Sequence, residues 1–433
     1  MNRKAVAGWC LYDFANSIYA AVIPATIWSV YYANRIVGNE AGQGDLWWGR
    51  AVSLSMLLVA FTSPPMGALG DFAGARKRLL IAYTVASAGA TALLGTVHQG
   101  MVLWGFALTV IATVGFEGAM VFYNAYLPEI APRDHQGRVS AWGFAVGYAG
   151  SLLGLVMALP LVRRENFAAA FALCGLGFVI FALPAFFYLP RDQAARSGFG
   201  TPVGSTGPQK PGLGPVAAMS GGVRESWRTF RDILRRPELR RFLLAYLLYE
   251  DGVNTVVYFS SIFAAKTLGF ELADLILLYI AVQVSAVAGS LAWARPTDRL
   301  GPKRVVQAML VQWVLVVTGT YFVQTRGQFY LLAVLAGTGL GAIQAASRTF
   351  MATLVPHGRE GEFFGFYNLC GKSAAVLGPL VFGAVSAATG GNQRVAILSV
   401  LFFYVAGGAI LRGVKAGGPT HLPPSVLQAV QNQ

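Results

Sequence analysis

Acidic side chains inside apolar stretches are the residues of this chain whose types and spacing could do chemistry. Asp13 and Asn16 are three residues apart in an apolar run near the start of the chain, and Asp251 and Asn254 repeat that spacing in a later one. Residues at i and i+3 share one face of a helix. A carboxylate in a lipid-spanning helix is costly, so it usually faces a protein interior or an aqueous path and marks a functional site. The repeat predicts two related halves that each contribute one polar helix to a shared central site.

Lys372 is the only ammonium that the sequence places at membrane depth, and it follows Asn368 by one helical turn. It can bind a substrate carboxylate, or it can form a structural ion pair with Glu117 or Asp251, and the sequence leaves both interpretations open. Glu117 lies too deep for its side chain to reach either membrane surface. Asn124 shares a helix face with Glu117, which favours a role for both in the site.

Two further charged residues have an ambiguous position. Glu250 points about 100° away from its neighbour Asp251, so the two carboxyls cannot face one cavity equally, and one of them can contact a neighbouring helix instead. Arg348 lies shortly before Pro356, from where it can extend to the inner membrane surface or point into the site. The candidate coupling or substrate residues are Asp13, Asn16, Glu117, Asn124, Glu250, Asp251, Asn254, Arg348, Asn368 and Lys372.

Composition predicts a membrane protein. Of 433 residues, 55% are hydrophobic and only 12% are charged, with a mean hydropathy of +0.55, whereas soluble domains are about 25% charged. Apolar runs of roughly 20 residues predict twelve helices in an all-α fold. We predict them at 6–34, 47–69, 79–98, 100–127, 139–162, 166–189, 241–264, 272–293, 304–325, 328–354, 362–388 and 393–413. Pro24 and Gly252 are predicted to interrupt the first and seventh helices, as kinks or to free backbone carbonyls for ligand contact.

The net charge of +14 is distributed unevenly along the chain. Most Lys and Arg residues fall in loops on the side of the two termini, which predicts that both termini are cytoplasmic in a bacterial inner membrane. The sequence contains no contiguous basic face with aromatic residues, so nucleic-acid binding is not predicted. The three cysteines lie within predicted helices and the four histidines show no ligand spacing, so neither a disulfide framework nor a metal or cofactor site is expected.

The predicted domains are a six-helix bundle at 1–190, a cytoplasmic linker at 191–240, a second six-helix bundle at 241–415 and a cytoplasmic tail at 416–433. The linker is rich in Gly, Pro and Ser up to residue 222 and then becomes an amphipathic helix that lies on the membrane, as a strut or as a regulatory element. Its apolar face comprises Val223, Trp227, Phe230 and Leu234, and its basic face Arg224, Arg228, Arg231 and Arg235.

A glycine-rich and basic loop follows the second predicted helix, and a degenerate copy follows the eighth. Each copy has an Asp three residues before a Gly and then a basic cluster. The Asp of the first copy can pair with basic residues or helix ends, while the glycines allow helices to approach closely. We interpret the loops as a conformational latch formed by Gly67, Asp71, Gly74, Arg76, Lys77 and Arg78 in the first copy and Asp298, Gly301, Lys303 and Arg304 in the second.

The first loop resembles the signature of the major facilitator superfamily, Gly-x-Leu-x-Asp followed by Gly and a basic cluster. Five strings, LYDFANSIYA, FYNAYLPEIAP, GRVSAWGFAVGYAG, FLLAYLLYEDGVNTV and EFFGFYNLCGKSAAVLGPLVFG, occur in order and resemble the UMF1 group, the bacterial relatives of the fungal vacuolar amino-acid effluxer Atg22. The resemblance covers nearly the whole chain outside the linker and the tail. It implies two pseudo-symmetric six-helix bundles and efflux of amino acids or related metabolites. Phe14 and Glu250 depart from it, since the group often has Trp and a neutral residue there.

The leading hypothesis is a secondary transporter, a symporter or antiporter, that works by alternating access and is not an enzyme. Proton coupling through Asp13, Glu117 or Asp251 is favoured over sodium because carboxylates are present. The Gly-Lys-Ser ending at Ser373 lies in an apolar helix with incorrect glycine spacing, so no ATP site is predicted. The expected partners are a small-molecule substrate, protons or sodium, and membrane lipid, with the protein as a monomer. The alternative is a non-transporting membrane receptor or scaffold with the same fold.

Overall fold

The computed structural model describes residues 2–72, 75–131, 136–190, 227, 230–355 and 360–415. We number the membrane helices α1 to α12 in chain order. In the first half, α1 runs from Arg3 to Val37 with an internal break, and five helices follow: α2 (Gln43–Phe72), α3 (Arg76–Leu93), α4 (Val102–Ala125), α5 (Gln136–Arg163) and α6 (Phe167–Tyr188).

The second half contains α7 (Pro237–Leu268), α8 (Leu272–Leu300), α9 (Pro302–Phe322) and α10 (Arg326–Leu354). Two further helices consist of two segments each: α11 of Glu360–Ser373 and Leu377–Ala388, and α12 of Gln393–Ser399 and Leu401–Arg412. Capping side chains fix several helix starts. The Asn166 side chain accepts from the Ala169 N–H at 3.1 Å, and Thr325 forms a capping box with Gln328.

Eleven helices among the described residues are long and apolar enough to cross a membrane. The remaining one, α7, is 32 residues long but less apolar, because Glu250, Asp251 and Asn254 lie in its middle. The described residues therefore form an all-α membrane protein with twelve membrane helices, as predicted. The predicted helix ends agree with the observed ones to within a few residues, apart from the breaks in α1, α11 and α12 and the end of α8, which lies at Leu300 and not at residue 293.

The packing of helices repeats between the two halves. In the first half α1 packs on α5 and α6, α4 packs on α2 and α3, and α3 packs on α6. In the second half the same pairs recur six helices later: α7 packs on α11 and α12, α10 packs on α8 and α9, and α9 packs on α12. Between the halves, α2 meets α11 and α5 meets α8. The two six-helix bundles are pseudo-symmetric, which confirms the predicted fold class.

The helix breaks differ from the prediction at one of two positions. The break predicted at Pro24 is present, since α1 is interrupted between Val22 and Ile27. The break predicted at Gly252 is wrong, because α7 continues through it, and a Cβ at this glycine would lie only 3.0 Å from the Tyr404 ring. The second bundle is interrupted in α11 instead, between Ser373 and Leu377.

Only the end of the predicted amphipathic linker helix is among the described residues. Trp227 and Phe230 lie with ring centroids 5.4 Å apart, and Phe230 stacks on Phe366 of α11 at 6.2 Å. Ile233 is buried, whereas Leu234 is 42% exposed. Residues 191–226, with Val223 and Arg224, and Arg228 lie outside the described residues. The described turn therefore docks on the second bundle through aromatic contacts.

Candidate functional site

The two bundles are joined about halfway along their helices by an ion pair. Lys372 Nζ of α11 lies 2.5 Å from Glu117 Oε2 of α4. The Glu117 side chain is only 8% exposed, whereas that of Lys372 is 44% exposed. Of the two pairings left open by the sequence, the structure therefore contains the one with Glu117. This ion pair connects the two bundles, and its Lys372 side chain is partly accessible. Such a pair is suited to respond to a charged ligand.

Asp251 and Asn254 bind the interrupted backbone of α11. Asp251 Oδ1 accepts the Gly378 N–H at 2.9 Å, at the beginning of the second segment of α11. The Asn254 side chain donates to the Ala374 carbonyl at 3.0 Å, just after the first segment ends. The break in α11 creates two helix ends, and α7 supplies a hydrogen-bond partner at each of them. This explains why the break is tolerated inside a membrane.

Asp13 occupies the corresponding position in the first bundle. The Asn16 side chain donates to Asp13 Oδ1 at 3.2 Å and also contacts the sulfur of Met120. A Cβ on Gly143 of α5 would lie 3.1 Å from Asp13 Oδ2, much as a Cβ on Gly378 of α11 would lie 2.8 Å from Asp251 Oδ1. The two aspartates therefore face equivalent helices, α5 and α11, whereas Asn16 contacts α4 and Asn254 contacts α11. In the first bundle, however, that helix is continuous.

Gly378→Ala should destabilise the protein. The added methyl group would meet Asp251 and Thr255, which are held by hydrogen bonds and cannot move away freely. Overpacking of this kind costs about 1–3 kcal/mol, so the melting temperature of the purified protein should fall. Gly89→Ala is the matched control, since a Cβ there meets no atom within 4 Å and Ala favours the helix. Equal melting temperatures for Gly378→Ala and the wild type would contradict this packing.

Glu250 is buried, and one of its carboxyl oxygens has no hydrogen-bond partner among the described residues. It is 6% exposed, and its Oε2 atom contacts no donor among the described residues. Tyr249 does not supply one, because its hydroxyl is bonded to Ser347 Oγ at 2.7 Å. Glu250 and Asp251 therefore have different surroundings, as the 100° between them predicts: Asp251 contacts the broken helix, and Glu250 lies inside the second bundle.

Two other predicted residues, Asn124 and Arg348, are exposed, and the side chain of a third is not described. Asn124 is exposed, two turns further along α4 than Glu117. Arg348 is also exposed. The side chain of Asn368 lies outside the described part of the structure.

Sequence reasoning missed a buried carboxylate at the opposite end of the bundles from the two termini. Asp45, at the start of α2, is fully buried. It accepts hydrogen bonds from Asn39 Nδ2 at 2.8 Å, from Ser386 Oγ at 2.5 Å and from Gln393 Nε2 at 2.8 Å. Ser386 and Gln393 belong to the second bundle, so Asp45 ties the two bundles together at this end.

Further contacts between the bundles lie in the same half of the molecule. Trp48 Nε1 donates to the Tyr258 carbonyl at 3.1 Å, and Ser53 Oγ donates to the Val376 carbonyl at 2.7 Å. Ser261 Oγ donates at 2.5 Å to the carbonyl of Ala25, which the break in α1 leaves free. We call this set, together with Asp45, the distal latch. It closes the bundles at the end away from the termini.

The basic residues of the two glycine-rich loops contact their own bundles. Lys77 Nζ donates to the Leu189 carbonyl at the end of α6 (2.9 Å), and Lys303 Nζ donates to the Arg412 carbonyl at the end of α12 (3.0 Å). Arg76 pairs with Glu129, while Arg78 and Arg304 are exposed. Gly301 has a φ of 85°, which favours glycine. Gly74 and the side chains of Asp71 and Asp298 lie outside the described residues, as do the surroundings of Gly67.

Within the described ranges, no group of three or more His, Cys, Asp or Glu side chains could hold a metal ion. The cysteines Cys10, Cys174 and Cys370 are free thiols, and the first two are buried. These thiols serve as small packing residues, as their place in the predicted helices indicated.

Two pseudo-symmetric six-helix bundles with polar residues at their interface define a membrane transporter of the major facilitator type. The family model of the vacuole effluxer Atg22 like proteins matches residues 50–417. The chain belongs to this family and is a transporter, not an enzyme.

Known proteins agree with this assignment. The chain is 29% identical over 415 residues to the uncharacterized MFS-type transporter YxiO of Bacillus subtilis, covering 94% of each protein. It is 23% identical to autophagy-related protein 22 of Yarrowia lipolytica, over 77% of this chain and 69% of that protein.

Solved structures share the fold. The nucleoside transporter NupG superposes with a TM-score of 0.69 at 14% identity, over 96% of this chain and 98% of NupG. A bacterial homolog of the lysosomal transporter Spinster, in an inward-facing and occupied conformation, superposes with a TM-score of 0.65 at 11% identity, over 96% of each chain. At these identities the structures support the fold and not a substrate.

Proposed function

We propose that this protein is a secondary transporter that moves an amino acid or a related small metabolite out of the cytoplasm by alternating access, coupled to protons. The observation that carries the proposal is the ion pair between Glu117 and Lys372. It joins the two bundles at mid-depth, where alternating access requires a ligand to be held while the bundles rock around it.

The charges at this centre favour a substrate with a carboxylate. The exposed part of Lys372 offers an ammonium to the space between the bundles, and Glu117 is an anion that a substrate carboxylate can replace as its partner. A zwitterion could use both residues, its carboxylate on Lys372 and its amine on Glu117. The family description, vacuole effluxer, agrees with an exported solute but names no chemical class.

The absence of an ATP site in the sequence leaves an ion gradient as the energy source for uphill transport. Several intramembrane carboxyls, Asp13, Glu250 and Asp251 among them, offer sites for a coupling proton. The charge distribution supports a bacterial inner membrane with both termini cytoplasmic. Under that orientation the distal latch closes the outer side. The domain limits at residues 190 and 241 and the monomeric state belong to the same proposal.

The test begins with a ligand screen of the purified full chain. Thermal shift against amino acids, peptides, sugars and nucleosides should identify a carboxylate-bearing solute, because a ligand that binds the folded state raises its apparent stability. That solute should then enter proteoliposomes that contain the protein faster than liposomes without it. Binding without flux, in liposomes where a control transporter is active, would instead favour a receptor or scaffold.

A further inference from the structure

The end of the linker helix docks on the first segment of α11. Phe230 stacks on Phe366 of that segment with ring centroids 6.2 Å apart. The Arg236 guanidinium lies 5.9 Å from the centre of the Phe363 ring, one helical turn earlier in the same segment. Ile233, between these two linker residues in sequence, is buried. The linker therefore covers one face of the α11 segment through aromatic and cation contacts.

α7 holds the same segment next to the helix break. The segment comprises the 14 residues Glu360–Ser373. The Asn254 side chain donates to the Ala374 carbonyl at 3.0 Å, just after the segment ends. Within the segment, the Tyr367 ring stacks on the Tyr246 ring of α7 with centroids 4.3 Å apart. The segment thus has a fixed point near the break, and the linker contacts it at the far end.

Lys372 is the second-last residue of this segment, so the position of its ammonium depends on the segment as a whole. It follows Phe366 by six residues, which is about 9 Å along a helix axis. Because the break separates the two parts of α11, the first segment can tilt without moving Leu377–Ala388. Docking of the linker at Phe366 therefore restricts that tilt and keeps Lys372 within reach of Glu117.

The docked end of the linker and the start of α7 form an exposed basic and aromatic surface. We call Trp227 together with residues 230–241 the linker surface. Trp227 is 57% exposed and Leu234 is 42% exposed. The surface contains two acidic residues, Asp232 and Glu238, and five arginines. All five arginines are exposed: Arg231, Arg235, Arg236, Arg240 and Arg241.

The charges and the location of this surface match anionic lipid headgroups. Arg241 pairs with Glu238 at 3.6 Å and donates to the Gly413 carbonyl at 3.3 Å, so the surface lies at the end of the bundles where α12 finishes. Among the described residues, no ion pair neutralises Arg231 or Arg235. Exposed Trp and Leu beside several arginines are typical of a helix in the headgroup region of a negatively charged leaflet.

We propose that the linker surface binds anionic lipid headgroups, and that the bound lipid holds the first segment of α11, with Lys372, in place. The lipid favours the docked linker, because docking keeps the arginines together at one membrane surface and a ligand shifts an equilibrium only by its preference for one state. The lipid-binding part stands on its own. The consequence that lipid charge regulates the substrate site rests on the transport function proposed above.

Photo-crosslinking of the full chain in phosphatidylcholine vesicles tests the lipid-binding part. Phosphatidylglycerol with a photoactivatable headgroup should label residues 227–241 of the wild type, and phosphatidylcholine of the same design should not. Arg231→Gln combined with Arg235→Gln should remove most of that labelling, whereas Lys at both positions keeps the charge and should retain it. Arg163→Gln combined with Arg164→Gln is the matched control, since these exposed arginines lie at the opposite end of the first bundle.

Two crosslinking results would overturn the lipid-binding part. One is equal labelling of residues 227–241 by the two lipids in the wild type, which needs no variant. The other is undiminished labelling in the double Gln variant with a normal melting temperature. Either result would leave an acidic protein as the better partner for these arginines.

Hydrogen exchange of residues 360–373 in nanodiscs tests the connection to α11. Addition of phosphatidylglycerol to phosphatidylcholine nanodiscs should slow exchange in this segment of the wild type. Phe366→Ala should keep the crosslinking of the linker surface but lose the slower exchange, because the stacking contact with the linker is gone. Phe402→Ala, at a 66% exposed position on α12, is the matched control and should behave as the wild type.

The same lipid-dependent slowing in Phe366→Ala as in the wild type would overturn the connection, and so would its absence in the wild type. Both measurements are made without a substrate. Failure of solute flux would therefore leave them valid, and a missing lipid effect would leave the proposed transport function untouched.

Discussion

Lys372→Gln should weaken binding of a carboxylate-bearing ligand while sparing its amide analogue. Removal of one partner from a buried charge pair costs on the order of 2–5 kcal/mol. We expect the lower end of that range, because the Lys372 side chain is 44% exposed and partly screened by solvent. Binding titrations of acid and amide ligands, each with the wild type and the variant, measure the difference directly.

The same substitution at an exposed position is the control for Lys372→Gln. Lys4 lies exposed at the beginning of α1, and Lys4→Gln should leave both affinities unchanged. If Lys372 serves only to neutralise Glu117, the variant should lose stability but bind acid and amide with equal losses, and the double variant with Glu117→Gln should recover stability. Equal losses for the two ligands would therefore remove Lys372 from the substrate site.

Asp45→Asn should open the distal latch. The amide carries no charge, and its NH2 group would face a donor of the second bundle, Gln393 Nε2, which contacts both oxygens of Asp45. Hydrogen bonds to a charged group are worth about 1.5–3 kcal/mol each. Since ~1.4 kcal/mol is a factor of ten, loss of one such bond should raise the fraction of molecules open at this end by about tenfold or more.

Alkylation of a reporter cysteine measures that opening. Ser53→Cys, in a background where Cys10, Cys174 and Cys370 are alanine, places a thiol at a position buried between the bundles. A membrane-impermeant reagent should label it faster in Asp45→Asn. Asp274→Asn is the matched control, because Asp274 pairs with Arg326 inside the second bundle at 3.0 Å. Equal labelling rates in Asp45→Asn and in the control would show that the latch does not hold the bundles together.

Much of the architecture was predictable from local sequence features. Apolar runs bounded by charged residues predict the positions of the helices. The repeated Asp and Asn spacing in α1 and α7 predicts that the chain consists of two related halves. The break in α11 was missed because Ala374 to Val376 contain no helix breaker. Pro379 was the available signal, since it has no N–H to donate to the Ala375 carbonyl four residues earlier.

The candidate site was less predictable, because contacts between bundles depend on how whole helices are rotated and placed. Asp45 precedes the predicted second helix, so the sequence alone indicates a solvated loop residue. Its contacts with Ser386 and Gln393 form only when the chain is folded. The partner of Lys372 was undetermined for the same reason. The separate positions of Glu250 and Asp251, in contrast, follow from the geometry of a single helix.

Proton and solute movement recorded in one proteoliposome preparation is the most direct measurement of the proposed mechanism. With a solute from the ligand screen, the wild type should change the internal pH as the solute crosses. Glu250→Gln should retain exchange of labelled for unlabelled solute but move no protons, because it keeps the cavity and lacks the titratable group. Solute flux in the wild type without any change in internal pH, or unaltered proton movement in Glu250→Gln, would contradict proton coupling through this carboxyl.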